Sequence, residues 1–326
     1  MRRRRFIQGI ATFAAWPLAA RAQQAERIRL IGMLPLTDNQ EGRDCVGAFK
    51  QTLQKLGWNE GRDVRTEIRW GENNANLTRE YATELVALMP DVILAAGTLS
   101  MVALQYLRPT LPIVFVQVAD PVGSGIVDSL ARPGGNITGF TNYEFSIGGK
   151  WVELLKQIAP NVTRALVFRD PSNPSAIAQF SAVQGAAQSR GVEVTAAGLR
   201  DAGEIERAVA SFAHSANGGL IVTGTAGASV YRQLMIQLAA HHKLPAVYGD
   251  SYIVAEGGLI AYGPDRVEQY RNAAKYVDRI LRGEKPADLP VQAPTKYELA
   301  INLKTARALD LTVPQALQAS ADRVVE

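Results

Sequence analysis

From residue 27 onward the chain alternates short apolar runs with longer amphipathic stretches. RIRLIGML (27–34) predicts a strand, and GRDCVGAFKQTLQKLG (42–57) predicts a helix closed by Gly57. VRTEIRW (64–70) is a strand of alternating character, and LTREYATELVALMP (77–90) is a helix stopped at Pro90. DVILAAG (91–97) and LPIVFVQVAD (111–120) are continuous apolar runs, suited to strands covered on both faces. The joint after the first of these reads as a polar break, Gly97 to Ser100, before a helix begins. Strand and helix in regular alternation mark a parallel sheet flanked by helices.

The second half repeats the rhythm. RALVFRD (164–170), VEVTAAGL (192–199), GGLIVTG (218–224) and LPAVYGD (244–250) read as strands. Helices are predicted over 173–191, 202–215 and 228–243. GTLS at 97–100 and GTAG at 224–227 occupy matching strand-to-helix joints, so the halves correspond piece by piece. RPGGNITGFTNYEFS (132–146) and GGLIAYGP (257–264) are the candidate crossings between them, followed by a helix (265–283), a Pro-rich connector (284–295) and a closing strand and helix. The fold class expected is α/β: two lobes with parallel sheets joined by a multi-crossing hinge. The first lobe would take 27–141 plus about 264–288, the second 142–263 plus about 294–326.

Length and composition fit this picture, since 326 residues suit two cores and 47% hydrophobic with 20% charged residues suits a globular protein. The net charge of +4 is misleading. Residues 1–22 carry five arginines and no acid, so the remainder holds 30 basic and 31 acidic residues. That balance removes the argument for a nucleic-acid partner. MRRRRFIQGIATFAAWPLAARA has a basic start, a short apolar stretch and an A-x-A end, the layout of an export signal. RRRFI within it resembles a twin-arginine core, with the general secretory route as the alternative. Both routes lead to a soluble periplasmic protein. The single cysteine, Cys45, excludes an intramolecular disulfide and reads as a buried small hydrophobe.

Several stretches together, PDVILAAGT, LPIVFVQVADPVGSGIVDSLARPGGNITGFT, LPAVYG, EGGLIAYGPD and LAINLKTARALDL, resemble ABC-transporter substrate-binding proteins related to the tryptophan/tyrosine-type periplasmic binders. The likeness runs through nearly the whole chain after the signal. It implies a type I periplasmic-binding-protein fold, two Rossmann-like lobes that close on a small ligand. It also implies an ABC permease with its ATPase as partner, and no catalysis. A ligand sensor feeding a signalling receptor would share the fold.

In open α/β sheets ligands bind beyond the carboxyl ends of the strands. There the sequence gathers small polar residues: Thr37, Asp38, Thr98, Ser100 and Asp120 in the first half, and Asn173, Ser175, Thr223, Thr225 and Asp250 in the second. Asn142 and Tyr143 follow the first crossing. Thr98 and Ser100, with helix-start N–H groups, suit an anionic or carbonyl end of a ligand, and Asp120 or Asp250 an ammonium or hydroxyl end. Each also has a local use, because Ser100 can cap a helix and Asp120 before Pro121 can start a turn. Arg169 is the one arginine evident at a strand end. Sparse positive charge among many Ser, Thr, Asp and Asn residues favours an amino acid or similar zwitterion over a phosphorylated compound. Trp58, Trp70 and Trp151 read as structural or surface aromatics.

Enzyme signatures are missing. Three histidines (His214, His241, His242) show no metal-ligand spacing, and no G-x-S-x-G or Walker A motif occurs. The expected protein is a monomeric binding protein for a small polar molecule, without cofactor or metal.

Overall fold

A computed structural model describes residues 27–142, 146–169, 174–224 and 226–326. The export-signal expectation therefore lies outside the described residues.

The first lobe alternates strand and helix: β1 (Arg29–Leu34), α1 (Gln40–Lys55), β2 (Val64–Ile68), α2 (Ala75–Ala87), β3 (Val92–Ala96), α3 (Gly97–Leu107), β4 (Ile113–Val118) and β5 (Ile137–Thr141). The strands form one parallel sheet in the order β2-β1-β3-β4-β5. All of β3 is buried, because apolar clusters cover both faces, one around Phe49 and Tyr276 and the other around Leu85, Leu104 and Phe115.

The second lobe contains α4 (Ile147–Ile158), β6 (Arg164–Phe168), α5 (Pro174–Gln188), β7 (Glu193–Ala197), α6 (Ala202–Ala213), β8 (Gly218–Val222), α7 (Ala226–Val230), α8 (Arg232–His241), β9 (Ala246–Tyr248), α9 (Tyr252–Ala255) and β10 (Ile260–Pro264). Next come α10 (Arg266–Leu281), β11 (Tyr297–Asn302), α11 (Leu303–Ala308), α12 (Gln315–Ala319) and β12 (Arg323–Val325). The second sheet runs β12-β11-β10-β9-β8-β6-β7, with β11 antiparallel to β10. Its β7-β6-β8-β9-β10 portion repeats the strand order of the first sheet, so the internal parallel in the sequence is a parallel of topology.

Helix α10 leaves the second sheet and packs on α1, β3, β4 and β5 of the first. Trp58 Nε1 fastens it by donating to Asp278 Oδ1 at 2.7 Å. The chain thus passes between lobes after β5, after β10 and before β11. These passages are tied together: the Thr141 N–H donates to the Gln292 carbonyl at 2.9 Å, and the Asp265 N–H donates to the Lys296 carbonyl at 3.0 Å. Gly263 is fixed by close approach, since a Cβ there would strike the Gly249 carbonyl.

Three local features differ from the pattern. No polar break separates β3 from α3: Gly97 adopts φ +75°, which turns the strand directly into a helix that includes Thr98 and Ser100. The helix expected over 228–243 is divided at Tyr231, where the Arg232 guanidinium takes the Ser229 carbonyl at 2.8 Å. The pattern did not single out α4, although it buries Ile147, Trp151, Val152, Leu154, Leu155 and Ile158 along one side.

Candidate ligand cleft

The carboxyl ends of both parallel sheets supply the loops of the cleft. After β1, Asn39 closes the turn by accepting from the Gly42 N–H at 2.8 Å, which starts α1 and sets Glu41 in its first turn. After β3, the N-cap of α3 is Ala96, which has no capping side chain. The first N–H groups of that helix therefore have no side-chain acceptor from the cap, a disposition that favours an anion. Near the end of β4 the ladder to β5 slips and Gln117 takes φ 59°, a left-handed conformation uncommon for a residue with a side chain. Its N–H donates to Gln269 Oε1 at 3.3 Å, and Gln269 Nε2 donates to the Thr141 carbonyl at 3.2 Å. The bulge is thus locked to the hinge.

The expected contact residues fall into distinct places. Thr37 lines a cavity between the lobes, whereas Asp38 is exposed and its N–H donates to Glu72. Thr98 is exposed on the first turn of α3. Ser100 is buried and donates to the Leu34 carbonyl at 3.4 Å, so it braces β1 rather than capping its own helix. Asp120 accepts from the Gly123 N–H at 2.8 Å, holding a turn. Thr223 is fully buried and donates to the Phe168 carbonyl at 2.9 Å, tying β8 to β6. Asp250 is buried beside Arg266. Tyr143, Asn173 and Thr225, and the side chain of Ser175, lie outside the described residues.

Among the described residues, Asn142 Oδ1, Asn73 Oδ1 and Arg169 Nε are buried and have no hydrogen-bond partner. Asn142 is 7% exposed at the first crossing, its N–H bonded to the Val118 carbonyl at 2.8 Å. Arg169 follows β6, with its guanidinium 5.1 Å from the centroid of the Phe180 ring. An unpartnered buried polar group costs about 1–3 kcal/mol, so these atoms mark places where a polar ligand would be stabilising.

Charged side chains, of which only Asp250 was expected at the site, meet at the lobe contact. Arg266 opens α10 and donates to Asp250 Oδ1, while its Nη1 lies 3.4 Å from Glu41 Oε2. Its guanidinium also sits 5.2 Å from the Tyr252 ring, whose hydroxyl donates to Ser229 Oγ at 3.0 Å. Arg232 pairs with Glu256 at 2.7 Å. The expectation of Arg169 as the one evident cleft arginine is corrected: the interlobe cavity is lined by Arg266 and Arg232, and Arg169 is not among its lining residues. Both sit in helical stretches, at a position given by the hinge crossing and by the helix break respectively. Neither is marked by a local motif.

The cavity is bounded by Glu41 and Asn73 on one side, Arg232 and Tyr252 on the other, with Arg266 and Tyr270 from α10. Its volume is about 40 Å³, room for a few waters. Burial pushes the Glu41 carboxyl up to about 7 against the opposing effect of Arg266. Burial likewise pushes the Cys45 thiol up to about 12. Among the described residues no group of three His, Cys, Asp or Glu side chains could hold a metal ion, and no helix is long and apolar enough to cross a membrane. His241 and His242 stand edge to face, 4.7 Å apart, at the end of α8 before β9 begins, away from the carboxyl strand ends.

Two lobes with largely parallel sheets are joined by several crossings, and polar strand ends gather between them, the architecture of a two-lobed binding protein. Residues 39–325 match the family described as ABC transporter substrate binding protein, and the chain belongs to that family. It is a family of binding proteins, not of enzymes. A tyrosine-binding protein of Clostridioides difficile (strain R20291) is 26% identical over 281 residues, covering 86% of this chain and 81% of that protein. A conserved domain protein of Vibrio cholerae superposes with a TM-score of 0.83 at 26% identity, covering 91% of this chain and 100% of that one. An ABC domain from Streptococcus pneumonia in complex with L-Trp gives a TM-score of 0.83 at 22% identity, with the same coverage.

Proposed function

We propose that this protein binds a free α-amino acid, of the aromatic kind, between its lobes and presents it to an ABC importer from the periplasm. Family membership supports transport. The observations that support the ligand class are the buried polar atoms without partners, Arg169 Nε and Asn142 Oδ1, and the start of α3, which has no side-chain cap. Arg169 Nε and the α3 N–H groups offer donors to a carboxylate. Asn142 Oδ1 offers an acceptor to an ammonium group. The relatives that take tyrosine and tryptophan favour an aromatic side chain.

Closure of the hinge is the working step in this reading. A ligand that touches both lobes only when they are together shifts the population toward the closed form, which the membrane permease then recognises. Thr98 and Asn142 are the contacts assigned to the first lobe and the hinge, with Thr223 and Asp250 as supports of the facing wall. Residues 1–22 direct export and are removed.

A thermal-shift screen of refolded, ligand-stripped protein against amino acids, sugars, purines and small carboxylates tests this. A ligand at a hundred times its Kd adds about 2.7 kcal/mol of stability. Stabilisation by L-tyrosine or L-tryptophan is expected; silence across all amino acids with a response to a sugar would overturn the ligand class.

A further inference from the structure

Two carboxylates and one guanidinium meet at the boundary between the lobes. Arg266 is the first residue of α10, immediately after β10 crosses. The helix it opens packs on α1 of the first lobe. Its partner Glu41 belongs to α1, whereas Asp250 follows β9 in the second lobe. The side chains are 14%, 21% and 3% exposed for Arg266, Glu41 and Asp250. With both acids ionised the triad carries a net charge of −1, held out of most of its solvent. With Glu41 protonated the net charge is zero and Arg266 keeps Asp250.

We propose that Glu41, Arg266 and Asp250 form an interlobe latch that is set by the protonation of Glu41, so that the ligand-free lobes close in mild acid and part in mild alkali. The other charged and titratable groups around Glu41 do not neutralise the excess negative charge. From the second lobe Glu256 adds negative charge and Arg323 positive charge. Glu256 is already paired with Arg232, and Arg323 is shared with Glu298 at 3.7 Å. Asp265, ahead of α10, is held by Lys296 at 2.8 Å. Cys45, Tyr252 and Tyr270 are neutral neighbours, with burial raising each of their pKa values, and Asp44 is exposed on α1.

The direction follows from linkage. In the closed arrangement burial holds the Glu41 carboxyl up at about 7; parting the lobes hydrates it and returns it toward the ordinary 4.5. The closed form therefore binds the proton more tightly, and lowering the pH between 8 and 5 favours closure. The closed-to-open ratio changes by about 70-fold across that interval. The device rests on hinge motion and on no particular ligand, so its failure would leave the amino-acid reading standing.

The experiment uses the full chain, stripped of ligand, with spin labels at T83C on α2 and S181C on α5. Pulsed dipolar distances and the radius of gyration from small-angle scattering are recorded at pH 5, 6.5 and 8. The wild-type distribution is expected to move toward the open distance as the pH rises, and Glu41→Gln to remain closed at every pH. Arg266→Gln, if its circular dichroism is native, is expected to open at all three. A wild-type distribution independent of pH, or a Glu41→Gln protein that responds to pH as the wild type does, would overturn the latch.

Discussion

The indole Nε1 of Trp151 donates to the Tyr262 carbonyl at 2.7 Å, joining α4 to the β10 strand that leads into the hinge. Trp151 is fully buried, so its role is structural and its site is the second lobe's core. Trp151→Phe should cost about 1–3 kcal/mol, because it leaves the carbonyl without its donor. Trp151→Ala should cost about 3–5 kcal/mol through the added cavity. Urea denaturation measures both.

The Glu41 carboxyl also links folding stability to pH. Its folded value, about 7, lies above the ordinary 4.5. Its stabilising contribution is therefore complete below pH 4.5 and is lost as the pH rises through 7. Glu41→Gln should be more stable than wild type at pH 8, on the order of 1–3 kcal/mol. The two proteins should match near pH 4.5, and denaturation curves at the two pH values make the comparison.

The polar residues of the strand ends should separate into two groups. Thr98→Ala, on an exposed side chain, is expected to leave stability within about 0.5 kcal/mol of wild type and to weaken ligand binding. Ser100→Ala and Thr223→Ala remove buried hydrogen bonds to main-chain carbonyls and should each cost about 0.5–1.5 kcal/mol of stability. Paired melting and calorimetry would show whether affinity and stability divide along this line.

Much of the architecture was legible in the sequence because the central strands of both sheets are buried on two faces and read as apolar runs such as VILAA and GGLIV. The duplication was legible because the strand-to-helix joints repeat. Ser100 and Thr223 could not be told from ligand contacts by residue type, since each bonds to a carbonyl many residues away. Arg266 was hidden for the same reason: its partners lie 225 and 16 residues away. The break between α7 and α8 at Tyr231 leaves no mark in the periodicity, and β12, three residues long, has too short a pattern to read.

Cys45 offers a check on the packing of α1 against the interlobe cavity. It is 2% exposed, and burial raises its thiol to about 12, so little thiolate forms near neutrality. The native protein should resist alkylation by iodoacetamide at pH 8 and react fully in denaturant. Rapid modification of the folded chain would contradict the burial described here.

Calorimetric titration of ligand-stripped protein with L-tyrosine and L-tryptophan, run in parallel on wild type and Asn142→Ala, reads the proposed site itself. One site per chain is expected, with at least about tenfold weaker binding in the variant, equal to about 1.4 kcal/mol, and a native melting profile. Absence of binding by either amino acid, or an affinity untouched by Asn142→Ala, would contradict it.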